Sequence, residues 1–343
     1  MNKVATITLS DNVIAHAMRV ALDAASAAEG ATAPNPPVGC VLLDASGHVI
    51  SSASHRKAGH LHAEVLAIQK ARALGLIRFV HTFVVTLEPC NHYGCTPPCT
   101  DAILATPAKN VVIGAADPNP KVKGGGAERL RKGGLGVSFL DVAREPELFQ
   151  ALQRLIAPFT KRMTKGLPWV TVKQALNRRG SMIPELGHKT FTSHASLVFA
   201  HQLRRRADAI ITGSGTVLAD APEFTVRHVE DIVDKRRKLI LFDRRRRVAN
   251  DYVASVIKRG FEVIWADELQ QVLRALATEG TLEVLVEAGP HLTASVLSSP
   301  YWDEHVLITQ SPKVGHDDQI DIKRNTLSLN QSAEEDNHVF RDH

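Results

Sequence analysis

The sequence of 343 residues contains few cysteines, few aromatic side chains and no long apolar run. Four cysteines are too few for a disulfide framework in a chain of this length, which indicates a reducing compartment. No stretch approaches the roughly 18 apolar residues of a transmembrane helix, and no signal-peptide pattern opens the chain. Aromatic residues make up 5%, so stacking platforms for unpaired nucleobases are scarce. We therefore expect a cytoplasmic protein with no membrane and no nucleic-acid partner.

The net charge of +5 is modest, but the basic residues are concentrated in runs. An RRR run covers 204–206, a KRRK run covers 235–238 and an RRRR run covers 244–247. Such runs are usually solvated faces of loops and helices, and the alternative is a rim that attracts phosphate. The apolar fraction of 44% and the charged fraction of 22% are typical of globular domains. They exclude a chain that is disordered throughout, collagen-like or a coiled-coil fibre.

Hydrophobic periodicity predicts an α/β fold for the first half of the chain. A helix is predicted over 11–29, followed by a hairpin of VGCVLLD and HVISSAS with its turn at 45–47. The helix HAEVLAIQKARALG, the strand FVVTLEPC, the helix TDAILATP and the strand NVVIGAAD come next. The helix GGAERLRKGG and the strand VSFLD follow. This β-α-β-α-β alternation predicts a three-layer α/β/α unit whose sheet is largely parallel at one edge.

The chain length suits two domains, and the stretch from Pro158 to Pro168 is their predicted boundary. This stretch is basic and polar and is flanked by prolines, which gives predicted domains at 1–157 and 165–343. The strands WVTVKQAL, DAIITGSG, KLILFD, FEVIWAD and LEVLVEAG alternate with helical stretches, so the second domain is also predicted to be α/β. The polar tail after Lys313 has a weak pattern and is left unassigned.

Three short motifs in the first half have the composition of a catalytic zinc site. His62 and Glu64 open a predicted helix, Pro89-Cys90 ends a strand, and Cys99 follows in the same loop. One imidazole and two thiolates supply three ligands and leave one tetrahedral position for a water of lowered pKa. The Glu64 carboxylate can reach that water and transfer its proton to a leaving amine. This H-x-E…P-C…C arrangement is the signature of zinc nucleobase deaminases.

Cys95 is a third thiol in the same loop. Three roles are open for it: a spare thiol, a loop residue that faces substrate, or an alternative zinc ligand. We favour Cys90 and Cys99 as the ligands because Cys90 follows a proline and Cys99 precedes a helix, whose N-terminus stabilises a thiolate.

The stretches PNPPVGCVLLD, HAEVLAI, TLEPCNHYGCTPPCTDAI and DPNPKVKGGG resemble the deaminase half of the bifunctional riboflavin-biosynthesis deaminases/reductases. The spacing in PCNHYGCTPPC is wider than the P-C-x-x-C of cytidine and tRNA adenosine deaminases, and it is typical of this family. The resemblance covers nearly the whole chain and is strongest over 35–126. It implies a cytidine-deaminase-like domain in which Asn35, His55 and His92 contact the pyrimidine or its ribose phosphate. The chain departs from the family at Cys95, where a basic residue suited to a phosphate usually precedes TPPC.

The second half resembles the reductase half of the same family, which has a dihydrofolate-reductase-like fold and uses NADPH. The matching stretches are TVKQAL, LRRRADAIITGSGTVLADAPEFTVR and LEVLVEAGPHLTASVL. The resemblance implies substrate contacts at Lys173, Arg204, Asp220, Arg227 and Glu287. It implies cofactor contacts at Gly213, Gly215, Thr216 and Gly289. Glycines at such positions let the backbone approach a dinucleotide phosphate closely, although strand-end turns also account for them.

This half also departs from the family pattern. Asn177-Arg178-Arg179-Gly180 stands where the family has Ser-Leu-Asp-Gly, Ala221 replaces an acid, and Asp243-Arg244-Arg245 stands at an Asp-Ser-Arg stretch. The tryptophan of a Trp-Ile-Thr stretch is absent, and the local sequence is HKTFTS. We hypothesise that Arg178 or Arg179 binds the phosphate of the second substrate. The alternative is that both face water and the reductase half is inactive.

The predicted function is zinc-dependent deamination of a diaminopyrimidinone ribosyl phosphate, followed by NADPH-dependent reduction of the ribosyl group to a ribityl chain in riboflavin biosynthesis. The expected cofactors are zinc and NADPH, the expected partner is a small phosphorylated pyrimidine, and a homo-oligomer is expected. One alternative is a deaminase-only paralogue in a related branch pathway. Others are a nucleic-acid-editing zinc deaminase and a non-catalytic paralogue with structural zinc. Glu64 argues against the last, because a structural zinc site needs no general base.

Overall fold

The computed structural model describes residues 9–93, 97–120, 125–183, 190–313 and 315–325. The chain divides into two compact units, Met1–Lys165 and Gly166–His343. Each unit has its own sheet with hydrophobic clusters of buried residues on it. Within the described ranges, no helix is long and apolar enough to cross a membrane.

The first unit contains a five-stranded sheet of order β2-β1-β3-β4-β5. Its strands are β1 (Gly39–Leu43), β2 (Val49–Ser54), β3 (Thr82–Leu87), β4 (Asn110–Ala115) and β5 (Gly136–Phe139). β1 is antiparallel to β2 and β3, whereas β3, β4 and β5 run parallel. The helices are α1 (Asp11–Ser26), α2 (Ala63–Ala73), α3 (Cys99–Leu104), α4 (Gly125–Lys132) and α5 (Pro146–Lys165).

Helices cover both faces of this sheet. α2, α3 and α4 contribute to the cluster on one face, and α1 and α5 contribute to the cluster on the other. β1 and β3 are buried along their whole length, as expected for strands covered on both sides. The predicted three-layer α/β/α fold of the first unit is therefore confirmed.

The predicted domain boundary meets a continuous helix. Pro158 lies inside α5, and the first unit ends at Lys165. The predicted end at 157 therefore falls within this helix. Proline removes one intrahelical hydrogen bond, but α5 buries Leu148, Leu152 and Ile156 and continues past it.

The second unit contains a seven-stranded sheet of order β12-β11-β6-β10-β7-β8-β9, in which only β12 is antiparallel to its neighbour. Its strands are β6 (Trp169–Leu176), β7 (Ala209–Gly213), β8 (Arg237–Phe242), β9 (Phe261–Ala266), β10 (Glu283–Val286), β11 (Glu304–Thr309) and β12 (Gln319–Arg324). Its helices are α6 (His194–Arg206), α7 (Ser214–Asp220), α8 (Asn250–Lys258), α9 (Leu269–Thr278) and α10 (Pro290–Leu297). The predicted second α/β unit is confirmed.

Parallel strands place their carboxyl ends at one edge of each sheet. β3 ends directly before Glu88-Pro89-Cys90, and β10 ends directly before Glu287. β7 lies next to β10 and ends at Gly213. Ligands of open α/β sheets bind outside the carboxyl ends of the strands, so these segments are the expected ligand-binding regions of the two units.

Candidate active sites

The first unit brings His62, Cys90 and Cys99 together. His62 precedes α2, Cys90 follows the end of β3, and Cys99 is the first residue of α3. The His62 Nδ1 atom lies 3.2 Å from the Cys99 sulfur and 3.5 Å from the Cys90 sulfur. The three candidate ligand atoms lie within 4.8 Å of one another. The residues that the motif singled out thus form one cluster.

The surroundings of Cys90 favour its thiolate. The backbone N–H of Cys99 donates to the Cys90 sulfur at 3.4 Å. Hydrogen bonds from Cys99 and His62 lower the pKa of the Cys90 thiol to about 4, although burial opposes them. The hydrogen bond to Cys90 in turn raises the pKa of His62. The thiolate is the form of cysteine that binds metals.

Glu64 is a buried carboxyl group beside this cluster. It is the second residue of α2 and is 3% exposed. Burial raises its pKa, and the charge of Cys90 acts in the same direction. A carboxyl group whose pKa is moved towards neutrality is suited to accept a proton and return it.

Asn35 and His55 form a hydrogen-bonded pair next to the cluster. The His55 ring is 5.2 Å from the His62 ring, and burial lowers the pKa of His55. His55 Nδ1 lies 3.2 Å from the carbonyl oxygen of Leu61, which can only accept. Nδ1 therefore carries the proton, and Nε2 accepts from Asn35 Nδ2 at 3.2 Å. This chain of hydrogen bonds fixes the orientation of both side chains.

His92 has a different setting, because it is exposed on the loop after Cys90. It lies within electrostatic reach of the partly buried carboxyl group of Asp117. Cys95 lies outside the described residues, so its three alternative roles stay open.

Two acids of this site were missed by the motif analysis. Glu88 is 5% exposed and accepts hydrogen bonds from the backbone N–H groups of Asp117 and Ala127. Asp117 lies near Glu88 and Cys90, and burial raises its pKa. Both residues lie within stretches that carry the family resemblance, TLEPC and DPNPK.

In the second unit, Lys173, Arg204 and Glu287 form a compact ionic cluster. The Glu287 carboxylate accepts from Arg204 Nε at 2.6 Å and lies 3.2 Å from Lys173 Nζ. Burial alone would raise the pKa of Glu287, but the charges of Arg204 and Lys173 outweigh it and lower this pKa to about 2. The carboxylate therefore stays ionised and fixes two cations at the carboxyl ends of the strands.

Arg227 and Asp220 are placed differently from this cluster. The backbone N–H of Arg227 donates to His201 Nδ1 at 2.9 Å, whereas its guanidinium pairs with Glu223. Burial, aided by the charge of Arg204, lowers the pKa of His201 to about 4. Asp220 is exposed at the end of α7. In the part of the chain that the structure describes, the polar partners of the Glu287 carboxylate are Lys173 and Arg204, whereas Arg227 and Asp220 make no hydrogen bond or ion pair with it.

The four residues expected at the cofactor lie at the carboxyl ends of the adjacent strands β7 and β10. The backbone N–H of Gly289 donates to Thr216 Oγ1 at 2.7 Å, which joins the two strand ends. A Cβ atom at Gly215 would meet no atom within 4 Å. Gly213 closes β7 and precedes α7. This edge therefore leaves open space beside backbone groups.

The Asn177-Arg178-Arg179 stretch forms a tight turn after β6. Asn177 Oδ1 accepts from the backbone N–H groups of Arg179 and Ser181. Arg178 Nε donates to the carbonyl oxygen of Ser311 at 2.9 Å. The hypothesis that Arg178 or Arg179 binds the phosphate of the second substrate stays a prediction. Part of the HKTFTS stretch lies outside the described residues.

Comparison with known proteins places both units in one family. Residues 12–115 match the cytidine and deoxycytidylate deaminase zinc-binding region, and residues 168–326 match the RibD C-terminal domain. The riboflavin biosynthesis protein RibD of Aquifex aeolicus is 33% identical over 322 residues, which cover 87% of this chain and 86% of that protein. The chain belongs to the RibD family. RibD of Mycobacterium tuberculosis is 36% identical over 295 residues, covering 83% of this chain and 81% of that protein.

Solved structures agree with this membership of the RibD family. RibD of Acinetobacter baumannii superposes with a TM-score of 0.76 at 30% identity, covering 90% of this chain and 89% of that one. The diaminohydroxyphosphoribosylaminopyrimidine deaminase/5-amino-6-(5-phosphoribosylamino)uracil reductase of Thermotoga maritima gives 0.75 at 30% identity, with the same coverage of 90% and 89%. As a member of the RibD family, the chain is a bifunctional enzyme of riboflavin biosynthesis with a zinc-binding deaminase domain and a reductase domain.

Proposed function

We propose that the first unit hydrolyses the ring amine of a diaminopyrimidinone ribosyl phosphate. We propose that the second unit then reduces the ribosyl group of the deaminated product to a ribityl chain with NADPH. The cluster of His62, Cys90 and Cys99 with buried Glu64 beside it carries the first half of the proposal. The named activities of the Thermotoga maritima relative supply the substrate class.

The donor set of the first unit fits zinc, because one imidazole nitrogen and two thiol sulfurs converge within 4.8 Å. His62, Cys90 and Cys99 would hold the metal, which when bound supplies a water of lowered pKa. Glu64 would accept the proton of that water and return it to the departing amine. Because Glu64 is buried, bulk water does not compete for this proton at the carboxylate.

Asn35 and His55 would orient the pyrimidine. Since Asn35 Nδ2 donates to neutral His55, the amide oxygen of Asn35 is the atom that would accept a hydrogen bond from a ring amine. The family resemblance gives His92 a contact with the same substrate, and its exposed position leaves it accessible.

In the second unit, NADPH would supply the hydride at the carboxyl ends of β7 and β10. The open space at Gly215 and the Gly289–Thr216 hydrogen bond give that edge room and a fixed backbone. Glu287 would keep Lys173 and Arg204 in place for the hydroxyl and phosphate groups of the sugar. Arg178 or Arg179 is our candidate for a further phosphate contact, and Asp220 and Arg227 are candidates for substrate binding. A homo-oligomer stays our prediction.

The test uses purified full-length protein and the diaminopyrimidinone ribosyl phosphate. We expect ammonia release without NADPH, and NADPH oxidation only when the pyrimidine substrate is also present. Ammonia release with no NADPH oxidation would support the deaminase part of the proposal and overturn the reductase part. RNA offered in place of the pyrimidine should release no ammonia.

A further inference from the structure

Glu88 joins two segments that are distant in the sequence. It follows the last residue of β3 and stands two residues before Cys90. Its Oε1 accepts from the backbone N–H of Ala127 at 2.9 Å, and its Oε2 accepts from that of Asp117 at 3.3 Å. Its own N–H donates to Ala115 at the end of β4. One buried carboxylate thus accepts hydrogen bonds both from the segment that follows β4 and from the first turn of α4.

The start of α4 also lies close to the backbone of the Cys90 loop. A Cβ atom at Gly126 would lie 2.0 Å from the carbonyl oxygen of Pro89 and 3.2 Å from Glu88 Cγ. No real Cβ atom tolerates the first distance, so only glycine allows α4 to start against the Pro89-Cys90 backbone. Gly126 therefore permits this close approach, and the hydrogen bond from Ala127 to the Glu88 carboxylate holds α4 on the loop.

The consequence for the site concerns Asp117. This partly buried residue lies within electrostatic reach of Cys90 and His92, at the border of the candidate metal cluster. Its side chain accepts from the backbone N–H of Asn119 at 2.8 Å, while its own N–H is held by Glu88. The position of Asp117 beside the site thus depends on the Glu88 carboxylate.

We propose that Glu88 is a positioning residue of the deaminase site. Its carboxylate clamps residues 116–117 and 125–127 onto the Cys90 loop and so holds Asp117 beside the bound pyrimidine. The proposal rests on the proposed deaminase function. Both oxygens of the Glu88 carboxylate accept from backbone amides, so we assign it no proton transfer. A displaced Asp117 weakens ground-state and transition-state binding alike, so the loss of Glu88 raises KM more than it lowers kcat.

Glutamine cannot replace this carboxylate. Its amide has one acceptor oxygen, and its NH2 group would face a second backbone N–H donor. One of the Asp117 and Ala127 amides would lose its partner, and leaving a buried donor unsatisfied is costly. Glu88→Gln therefore removes one of the two hydrogen bonds, to Asp117 or to Ala127, with little change in side-chain volume.

The experiment compares Glu88→Gln with wild type in the full chain, and Glu128→Gln is the matched control. Glu128 lies on the same helix as Ala127 but pairs with Lys132 at the surface. For Glu88→Gln we expect KM for ammonia release to rise at least about tenfold while kcat changes by less than about threefold. Zinc content and NADPH oxidation with separately supplied deaminated substrate should match wild type. Hydrogen exchange should accelerate in peptides that cover 125–132, and the control should behave as wild type throughout.

An unchanged KM in Glu88→Gln would overturn the proposal, and so would loss of zinc from the folded protein, which would make Glu88 a support of the metal loop. If Glu88→Gln does not fold, Glu88→Asp decides: its side chain is one methylene shorter, which draws the carboxylate away from the Asp117 and Ala127 amides. A wild-type KM with unchanged hydrogen exchange over 125–132 in this variant would overturn the clamp. Wild-type protein that releases no ammonia would refute the proposed function instead. In that case the clamp is still tested by hydrogen exchange, because unchanged exchange in Glu88→Gln would overturn it.

Discussion

At the scale of single residues, Glu64 gives the most specific expectation about catalysis. Glu64→Gln keeps the size of a side chain buried beside the candidate metal cluster but cannot accept and return a proton. We expect zinc content to persist and ammonia release to fall by about 10²–10⁴-fold, the range of general acid–base catalysis. NADPH oxidation with deaminated substrate, measured on the same protein, is the internal control. Near-normal ammonia release would remove Glu64 from the mechanism.

Glu287 gives an expectation about acid stability. Its pKa of about 2 in the folded chain lies below the value of about 4.3 for an unfolded glutamate. A depressed pKa stabilises the folded state above the unfolded value, and this stabilisation is lost as the pH falls from about 4.3 through about 2. The pKa of His201, about 4, also lies below its unfolded value of about 6.5. Its contribution to stability is therefore lost as the pH falls from about 6.5 to about 4, before that of Glu287.

We therefore expect Glu287→Gln to destabilise the second unit at pH 7 and to flatten the fall of unfolding free energy between pH 4.3 and 2. The variant leaves Lys173 and Arg204 without their carboxylate, and breaking a buried pair costs about 3–5 kcal/mol. Urea unfolding at a series of pH values measures both effects. The exposed Glu262→Gln is the control and should retain the wild-type slope. A wild-type slope in Glu287→Gln would contradict the assigned pKa.

The residues of the zinc motif could be predicted because each ligand has its own short pattern and a defined place at a strand or helix end. Glu88 and Asp117 could not be predicted in the same way. The Glu88 carboxylate accepts from the backbone N–H groups of Asp117 and Ala127, which are 29 and 39 residues away in the sequence. Any residue other than proline supplies such an N–H group, so its residue type carries no signal. For the same reason, sequence pattern does not distinguish a buried structural glutamate from an exposed one.

At the scale of elements, two residues of the basic run at 235–238, Lys235 and Arg237, differ from both interpretations of the sequence, whereas Arg236 is exposed. Lys235 Nζ donates to the carbonyl oxygens of Arg205 and Arg206, and Arg237 donates to those of Arg204 and Arg205. The last carbonyls of α6 lack helical partners and form the negative end of its dipole. These two cations thus cap a helix, and they are neither a solvated face nor a rim for phosphate. The contacts join residues about 30 positions apart, which periodicity does not reveal.

Arg237 allows this capping role to be measured. Its side chain is 6% exposed and also pairs with Asp231. We expect Arg237→Met to lower the free energy of unfolding by about 1–3 kcal/mol, because the Arg204 carbonyl loses its side-chain donor, the Arg205 carbonyl keeps only Lys235, and the partly exposed Asp231 loses its partner. Arg245→Met is the matched control in an exposed run and should stay within about 0.5 kcal/mol of wild type. Urea unfolding checks both, and equal stability of the two variants would refute the capping role.

The last strand shows a different limit of sequence patterns. β12 lies at the edge of the second sheet, pairs only with β11 among the described strands and is mostly exposed. An edge strand can be polar on both faces, so the segment after Lys313 gave no alternation strong enough to assign. The central strands β7 and β10 were predictable because they are mostly apolar and almost wholly buried, with hydrophobic clusters that include helix residues packed on them.

At the scale of the whole molecule, the two-unit α/β organisation could be predicted because buried strands and helices alternate along the chain. The boundary was harder to place. Proline and basic residues suggested an end at 157, but α5 continues through Pro158 to Lys165, its last buried residue is Lys161, and the first compact unit ends with the helix. Local composition indicated the region of the domain boundary, but the residue at which the first unit ends depends on the length of α5.

This packing leads to an expectation about fragments. Residues 1–165 contain all of α5 and the complete hydrophobic clusters of the first sheet, whereas 1–157 lacks the last two turns of α5, including buried Lys161. We expect 1–165 to be soluble, zinc-loaded and active in ammonia release, because its core is its own. We expect 1–157 to unfold at a lower temperature, because a shortened helix buries less surface against the sheet. Thermal unfolding and zinc analysis of both fragments provide the measurement. Insoluble 1–165 under conditions in which the full chain is soluble would show that the first unit needs the second, and equal stability of the two fragments would place the boundary before Pro158.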